Sequence, residues 1–175
     1  VIVRDATSSS TALWSKDYGH TITSMSMSSD ASRIVVGLSN GTLQLVSTSG
    51  SSSVIWTYYS STSINFADMS YDGERIVMSN SANKVFSFTN TTNIAQWEYT
   101  STTSIVGLKL GGNGSNVIVS FNDQSFALFN SDSSVPLWHY TAWNDIESSG
   151  ISKGGEVIYT GTDNSKVLKF LKNPC

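Results

Sequence analysis

Few residues of this chain combine a chemically reactive type with a partner at a useful spacing. It has two histidines, His20 and His139, and one cysteine, Cys175, so no Cys/His set with metal-ligand spacing exists. No serine lies in a Gly-x-Ser-x-Gly elbow. The glycine-rich run 111–114 falls in a predicted hairpin turn and opens no helix, which argues against a phosphate cradle. We therefore expect no catalytic centre and no bound cofactor or metal.

The acidic residues are better explained by turns than by ion binding. Asp30, Asp68 and Asp72 lack the alternating spacing of a calcium loop. Asp30 and Asp72 occupy equivalent turn positions, where a short carboxylate accepts hydrogen bonds from nearby backbone N–H groups. We interpret both histidines as solvated side chains.

The one candidate for recognition is a loop around the fifth tryptophan. Trp143 is followed by the polar residues Asn144, Asp145 and Glu147. An exposed indole among hydrogen-bonding groups suits stacking on a sugar ring or anchoring a protein contact. The alternative is that Trp143 covers the core of its own repeat or packs in a purely structural subunit contact.

The elements that position these residues derive from a repeat of 41–42 residues. Trp14, Trp56, Trp97 and Trp138 recur at intervals of 42, 41 and 41 residues. Self-similarity at this period is typical of propellers and repeat arrays. Other positions keep the same period, notably Ile22, Ile64, Ile105 and Ile146.

Each repeat divides into four short strands separated by turn signals. In the second repeat we predict strands at 64–70, 75–79, 84–88 and 94–99, which together make one antiparallel sheet. Trp97 and Tyr99 are two residues apart, so they share a face and are expected to pack on the neighbouring repeat. The predicted core also includes the apolar runs 34–36, 76–78, 117–119 and 157–159.

The phrases "PLW-x-Y", "S-x-D-G-x-x-I-V-x-G" and "N-x-V-x-x-F" resemble the WD-like and pyrroloquinoline-quinone-like repeats of β-propellers, especially those of secreted or surface-layer proteins. The resemblance implies an all-β, single-domain propeller over residues 1–175, with about four four-stranded antiparallel blades. Repeats would span about 20–60, 61–101 and 102–142, with a split blade joining 1–19 to 146–175. The Trp-Asp dipeptide of WD repeats and the metal-binding constellation of quinone dehydrogenases are missing, so only a fold and a general binding or scaffolding role are implied.

The two ends of the chain align with the same strand of the repeat, which leaves one strand in surplus. Four arrangements accommodate it: a closed ring that displaces residues 1–5, a two-chain ring of about eight blades, a head-to-tail filament, or a segment of a longer propeller. Exchange between subunits predicts contact strands containing Val1, Ile2, Val3, Val167, Leu168 and Phe170.

Composition narrows the class of partner. Net charge is −3 and charged residues make up 13% of the chain, against about 25% in ordinary soluble domains. The sequence has no basic patch that would indicate nucleic-acid binding. It also has no apolar run that approaches the roughly 18 residues of a membrane span. The hydroxyl- and amide-rich surface favours an extracellular or cell-surface location. Sequons at Asn40, Asn90 and Asn113 permit N-glycosylation, although a chain so rich in Ser and Thr produces such triplets by chance.

We therefore predict a non-catalytic extracellular structural or interaction module that self-assembles through its terminal strands, with itself, other surface proteins or glycans as partners. Three interpretations of Cys175 stay open: a free thiol, an intermolecular bridge, or the point where a longer chain was cut. The alternatives are a ligand- or glycan-binding propeller and a periplasmic assembly scaffold. A fragment of a quinone-dependent enzyme has the least support, because the matching inner-strand positions Thr23, Asn65, Val106 and Glu147 supply no convergent charged set.

Overall fold

The computed structural model describes residues 2–4, 12–50 and 52–172, and all regular secondary structure in this part is β-strand. The described strands form five antiparallel sheets in chain order. Sheet I contains β1 (Ile2–Arg4) and β2 (Ala12–Ser15). Sheet II contains β3 (Ile22–Met27), β4 (Arg33–Leu38), β5 (Thr42–Ser47) and β6 (Ser53–Tyr59). Sheet III contains β7 (Ile64–Met69), β8 (Arg75–Asn80), β9 (Lys84–Thr89) and β10 (Trp97–Thr100). Sheet IV contains β11 (Ile105–Leu110), β12 (Asn116–Phe121), β13 (Ser125–Asn130) and β14 (Pro136–Thr141). Sheet V contains β15 (Ile146–Ile151), β16 (Val157–Thr162) and β17 (Val167–Leu171).

Strands adjacent in sequence pair with one another, so sheets II to V are meanders built alike. In all four, the first two strands shift register directly after the first residue of the first strand. Such an irregularity bends the strand and increases its twist. The residues at this position are the periodic isoleucines Ile22, Ile64, Ile105 and Ile146.

Short polar turns end the strands and also tie successive sheets together. The turn after β7 contains Gly73 with φ of 69°, a conformation that glycine adopts without steric penalty. The Ser29 N–H donates to the Tyr71 carbonyl at 2.7 Å, and the Tyr71 N–H donates to the Gly112 carbonyl at 2.8 Å. The equivalent turns of three successive sheets are thus linked by backbone hydrogen bonds.

The apolar core lies between the sheets, in a series of face-to-face layers. Strand residues alternate between the preceding and the following sheet, as the two-residue period of a strand requires. In β8, Ile76 and Met78 join the cluster shared with sheet II, while Val77 joins the cluster shared with sheet IV. Further clusters fill the spaces between sheets IV and V and between Tyr18 and sheet II.

The periodic tryptophans pack on the next sheet, as their spacing predicted. Trp97 is 8% exposed and stacks on Phe129, with ring centroids 5.9 Å apart. Its Nε1–H donates to the Ser131 carbonyl at 2.7 Å, and Trp56 donates to the Asn90 carbonyl at 3.1 Å. In both cases donor and acceptor are 34 residues apart. The bond lets a large polar-tipped ring be buried without leaving its N–H unpaired.

Two expectations about individual segments are wrong. The fourth strand of the second repeat begins at Trp97, because the preceding residues form turns in which the Gln96 N–H bonds to the Ser87 carbonyl. The run 157–159 is only partly buried: Ile158 is fully buried, but Tyr159 is 48% exposed. Tyr159 faces away from sheet IV, and no further sheet covers that side in the described part of the chain.

The arrangement of the chain ends differs from a joined blade. β1 pairs with β2, and β15 to β17 form a sheet of their own. Within the described ranges no closed ring of sheets is detected. The all-β class and the antiparallel sheets are therefore confirmed, whereas the closed propeller and the split blade stay predictions.

We predict that Trp97→Ala lowers the free energy of unfolding by about 3–5 kcal/mol, because it leaves a cavity between two sheets and removes the bond to Ser131. Trp143→Ala is the matched control: its ring is 91% exposed, and surface changes stay within about 0.5 kcal/mol. Urea unfolding followed by circular dichroism measures both. Equal effects of the two substitutions would contradict the packing role of the periodic tryptophans.

Candidate functional site

The first strands of four sheets line one central cleft of about 290 Å³. β3 contacts β7, β7 contacts β11, and β11 contacts β15. The cleft takes side chains from all four strands, among them Ser26, Asp68, Lys109 and Glu147. Charged groups from three repeats line it, so it is the first location to consider for chemistry.

Asp68 in this cleft links three neighbouring strands. One of its carboxylate oxygens accepts from the Ser26 hydroxyl at 2.8 Å and from the Met69 N–H at 3.0 Å, and the other accepts from the Leu110 N–H at 2.9 Å. A carboxylate held by that many donors fixes the spacing of β3, β7 and β11. Its geometry suits a structural link better than a base that must exchange a proton.

The turn aspartates have lowered pKa values with local causes. The hydroxyl of Ser28 and the N–H of Ser32 donate to Asp30 and lower its pKa to about 2. At Asp72, burial raises the pKa, but hydrogen bonds from the Ser70 hydroxyl and the Glu74 N–H outweigh it, so the net shift is downward. Both carboxylates stabilise turns, as their spacing indicated.

Trp143 lines one side of a small recess of about 130 Å³. Its indole is 91% exposed, the largest exposed fraction among the exposed large apolar side chains. Asn164 donates to the Asn144 side-chain oxygen at 2.7 Å and accepts from the Thr162 hydroxyl at 2.7 Å, so the amides beside the ring are held in place. We call the ring with the adjoining recess the Trp143 shelf; the recess is lined by Tyr140, Ala142, Trp143, Asn144, Thr162, Asn164, Lys166 and Leu168.

The structure divides the predicted recognition loop between two places. Trp143 and Asn144 lie at the shelf, whereas Glu147 lines the central cleft. Asp145 is exposed and accepts a backbone bond from the Asp163 N–H at 3.1 Å. Sequence reasoning missed Asn164 and Lys166, because they come from the turn after β16, about 20 residues away from Trp143.

The three sequons lie in turns or directly after a strand. Asn40 and Asn113 are exposed and Asn90 is half-buried. The side-chain nitrogen of Asn113, the atom that would carry a glycan, donates to the Gly154 carbonyl at 3.0 Å. The Asn40 side-chain oxygen accepts from the Thr42 N–H at 3.1 Å. Asn90 and Asn113 also share a polar groove of about 360 Å³ with Arg75, which pairs with Asp132.

One end of the sheet series exposes an apolar face on β3, which we call the N-terminal end face: Ile22, Met25 and Met27. Ile22 is 38% exposed, whereas the equivalent Ile64 is fully buried against sheet II. Met27 is 61% exposed, against 3% for the equivalent Met69. The same positions that hold sheets together inside the molecule therefore face solvent on β3.

The opposite end exposes the complementary side of sheet V, which we call the C-terminal end face: Tyr159, Gly161, Val167 and Lys169. Val167 is 73% exposed, although the equivalent Val85 and Phe126 are fully buried under a following sheet. Lys169 lies over the Tyr159 ring at 6.0 Å. Next to this face, an apolar recess of about 350 Å³ extends between β14 and β17, lined by Trp138, His139, Tyr140, Phe170 and Leu171.

The predicted subunit-contact strands fall at these ends. Ile2 and Val3 belong to β1, and Val167, Leu168 and Phe170 belong to β17. Leu168 and Phe170 are half-buried against sheet IV, so of the three β17 residues it is Val167 that faces solvent. Val1 and Cys175 lie outside the described residues.

Neither the protein-family models nor the curated proteins compared with this chain give a match. In the described ranges, no group of three or more His, Cys, Asp or Glu side chains could hold a metal ion. The same ranges contain no helix long and apolar enough to cross a membrane.

We predict that Asp30 titrates near pH 2, below its ordinary pKa of 3.8, in an NMR titration of its side-chain carboxyl carbon. Because the folded-state pKa is lowered, the stabilisation by this carboxylate is complete above about pH 4 and is lost as the pH falls towards 2. Ser28→Ala removes the first donor and should raise the midpoint towards 3.8. An unchanged midpoint in Ser28→Ala would contradict the assigned cause.

Proposed function

We propose that this chain is a β-propeller-type, non-catalytic interaction module that associates with copies of itself through its two end faces. Sheets II, III and IV would be complete blades, and sheets I and V would together supply the strands of the remaining one. The shared central cleft supports this arrangement, because the first strands of propeller blades line a common channel.

The exposed end faces carry the proposal. Each internal boundary buries the first strand of one sheet against the second and third strands of the sheet before it. The N-terminal end face corresponds to the first-strand side of such a boundary. The C-terminal end face corresponds to the side formed by the second and third strands. Exposed apolar residues grouped at two complementary surfaces are a feature of proteins that associate. Contacts of this head-to-tail kind generate rings or filaments.

The polar groups of the central cleft support a structural role. Asp68 is engaged by three donors, and the Ser120 and Ser149 hydroxyls bond to each other at 2.8 Å between sheets IV and V. These groups hold neighbouring sheets together. The hydroxyl-rich surface favours an extracellular or cell-surface location. Enzymatic deglycosylation followed by mass spectrometry would show whether the exposed Asn40 and Asn113 carry glycans.

We predict that Ile22→Glu with Met27→Glu weakens self-association at least about tenfold, because a carboxylate would be buried in an apolar contact without a partner. Size-exclusion chromatography with light scattering over a concentration series measures it. Ile94→Glu is the control, since Ile94 is equally apolar and 71% exposed but lies in a turn away from both end faces. A wild-type chain that is monomeric at every concentration would overturn the proposal.

A second candidate function is carbohydrate binding at the Trp143 shelf. The exposed indole offers an apolar face, and the fixed amides of Asn144 and Asn164 offer donors and acceptors for hydroxyl groups. A recess of about 130 Å³ admits a group of the size of one sugar ring. Lys166 is the charged residue among its lining, which suits neutral sugars or sugars with one acidic group.

We predict that Trp143→Ala weakens oligosaccharide binding about twofold to tenfold, the range expected for one stacking contact. A glycan array identifies the ligand, and titration calorimetry then compares the variants. Trp143→Phe should retain most of the affinity, because it keeps an aromatic face at an exposed position. Loss of binding in Trp143→Ala with unchanged folding supports the shelf, whereas wild-type-like binding or an array without ligands excludes it.

A further inference from the structure

We propose that the partner of the end faces is a second copy of the chain, in which β17 of one copy replaces β1 beside β2 of the next. This inference rests on the proposed self-association, and it specifies which strands of the two copies pair and in which register. It would give each contact one complete sheet, with three strands from one copy and one from the other.

The place taken by β1 is that of a third strand in a complete sheet. β1 pairs with β2 so that Val3 lies opposite Trp14 and Ile2 opposite Ser15, with a register shift after Val3. In sheet II, Leu45 lies opposite Trp56, and the register shift follows Leu45. By the repeat period, Val3 corresponds to Leu45 and to Lys169 of β17. β1 and β17 are therefore two candidates for one position.

We expect the longer strand, β17, to pair with β2 in preference to β1. The ladder of β1 has three residues within the described part of the chain, whereas β17 has five residues and is already fixed to β16 along its other edge. Along its remaining edge, β17 pairs with no strand in the described sheets. An open strand edge readily accepts an added strand, because its backbone N–H and C=O groups lack partners there. The apolar recess beside β17 leaves room for that strand.

Side-chain fit at the end faces supports the same contact. Inside the molecule, Ile64 packs into a notch at Gly37, where an added Cβ would lie only 2.5 Å from the Ile64 Cγ2. The equivalent positions in the following sheets are the small residues Ser79, Ser120 and Gly161. A Cβ added at Gly161 would meet nothing closer than the Ser148 carbonyl oxygen at 3.9 Å. The notch at Gly161 is therefore open, and the exposed Ile22 is the equivalent of Ile64, which fills the notch at Gly37.

Two features together identify a second copy as the occupant. The internal boundaries between sheets show which residues pack on each side of a contact. The N-terminal end face carries the residues of one side, and the C-terminal end face of the same chain carries those of the other side. A contact between identical copies repeats an interface that this sequence already forms between its own sheets. The other occupant, the same chain closing on itself, becomes an outcome of the test.

Disulfide trapping tests the register directly. Leu43 lies opposite Tyr58 in sheet II, and by the repeat the corresponding intermolecular pair is Val167 with Lys16. Two single variants, Lys16→Cys and Val167→Cys, are prepared in a Cys175→Ser background and mixed under mild oxidation. We expect a crosslinked dimer in the mixture at more than the level of either variant alone. The double variant Lys16→Cys/Val167→Cys is oxidised in parallel. A crosslink that forms only within monomers of this double variant would show that the chain closes on itself, and would overturn the proposal of a second copy.

Association measurements supply a second, independent readout. Gly161→Leu fills the notch and should weaken association about tenfold or more. Ile94→Glu is again the control, because the exposed Ile94 lies away from both end faces. Deleting residues 1–5 should strengthen association, because it removes the competing strand. Weakening on this deletion would mean that β1 itself joins the copies and would overturn the replacement. The circular dichroism spectra and unfolding midpoints of all these variants must match those of the wild type, so that a change in association does not reflect unfolding. Ile22→Ser, on the N-terminal end face, should weaken association as much as Gly161→Leu does.

The outcomes separate this inference from the proposed function. Association that is insensitive to Gly161→Leu and gives no Lys16–Val167 crosslink overturns the register but leaves self-association intact. A chain that is monomeric in all variants and at every concentration overturns both.

Discussion

The structure depends on the packing of each sheet against the next. A single four-stranded sheet with two apolar faces cannot exist alone in water, because both faces would expose large hydrophobic side chains. Here the fourth strands of sheets II and III supply the rings of Trp56, Tyr58, Trp97 and Tyr99 to the sheet that follows. The indole N–H of Trp56 and that of Trp97 each donate to a carbonyl 34 residues later in the chain. The bond fixes the distance between sheets while the rings fill the space between them.

This constraint explains why the interior is nearly uniform and the ends are not. The boundaries on both sides of sheet III are fully packed, and their residues at equivalent positions are buried alike. In sheets II and V, by contrast, Met27 is 61% and Val167 is 73% exposed, although the equivalent Met69 and Val85 belong to the core. An open stack of such boundaries exposes one half-boundary at each end, and open repeat proteins cover these halves with capping units or partners.

Polar groups in this molecule mainly link sheets to one another. Asp68 connects three first strands, and the turns that contain Asp30 and Asp72 are tied to the next sheet through backbone bonds from Ser29 and Tyr71. A low charge content is compatible with this arrangement, because serine and threonine hydroxyls both donate and accept at short range. Exposed large apolar side chains lie at three surfaces described above: the N-terminal end face, the C-terminal end face and the Trp143 shelf.

The sequence by itself determined the repeat, the strand order and the direction in which Trp97 packs, because a two-residue strand period and a 41–42-residue repeat are both readable from spacing. It also determined that Asp30 and Asp72 belong to turns. Only the tertiary structure decided that Tyr159 is exposed, that Glu147 lies in the central cleft rather than beside Trp143, and that Asn164 joins the shelf. The physical reason is that burial depends on which neighbour covers a face, and spacing along the chain specifies a face without specifying its neighbour.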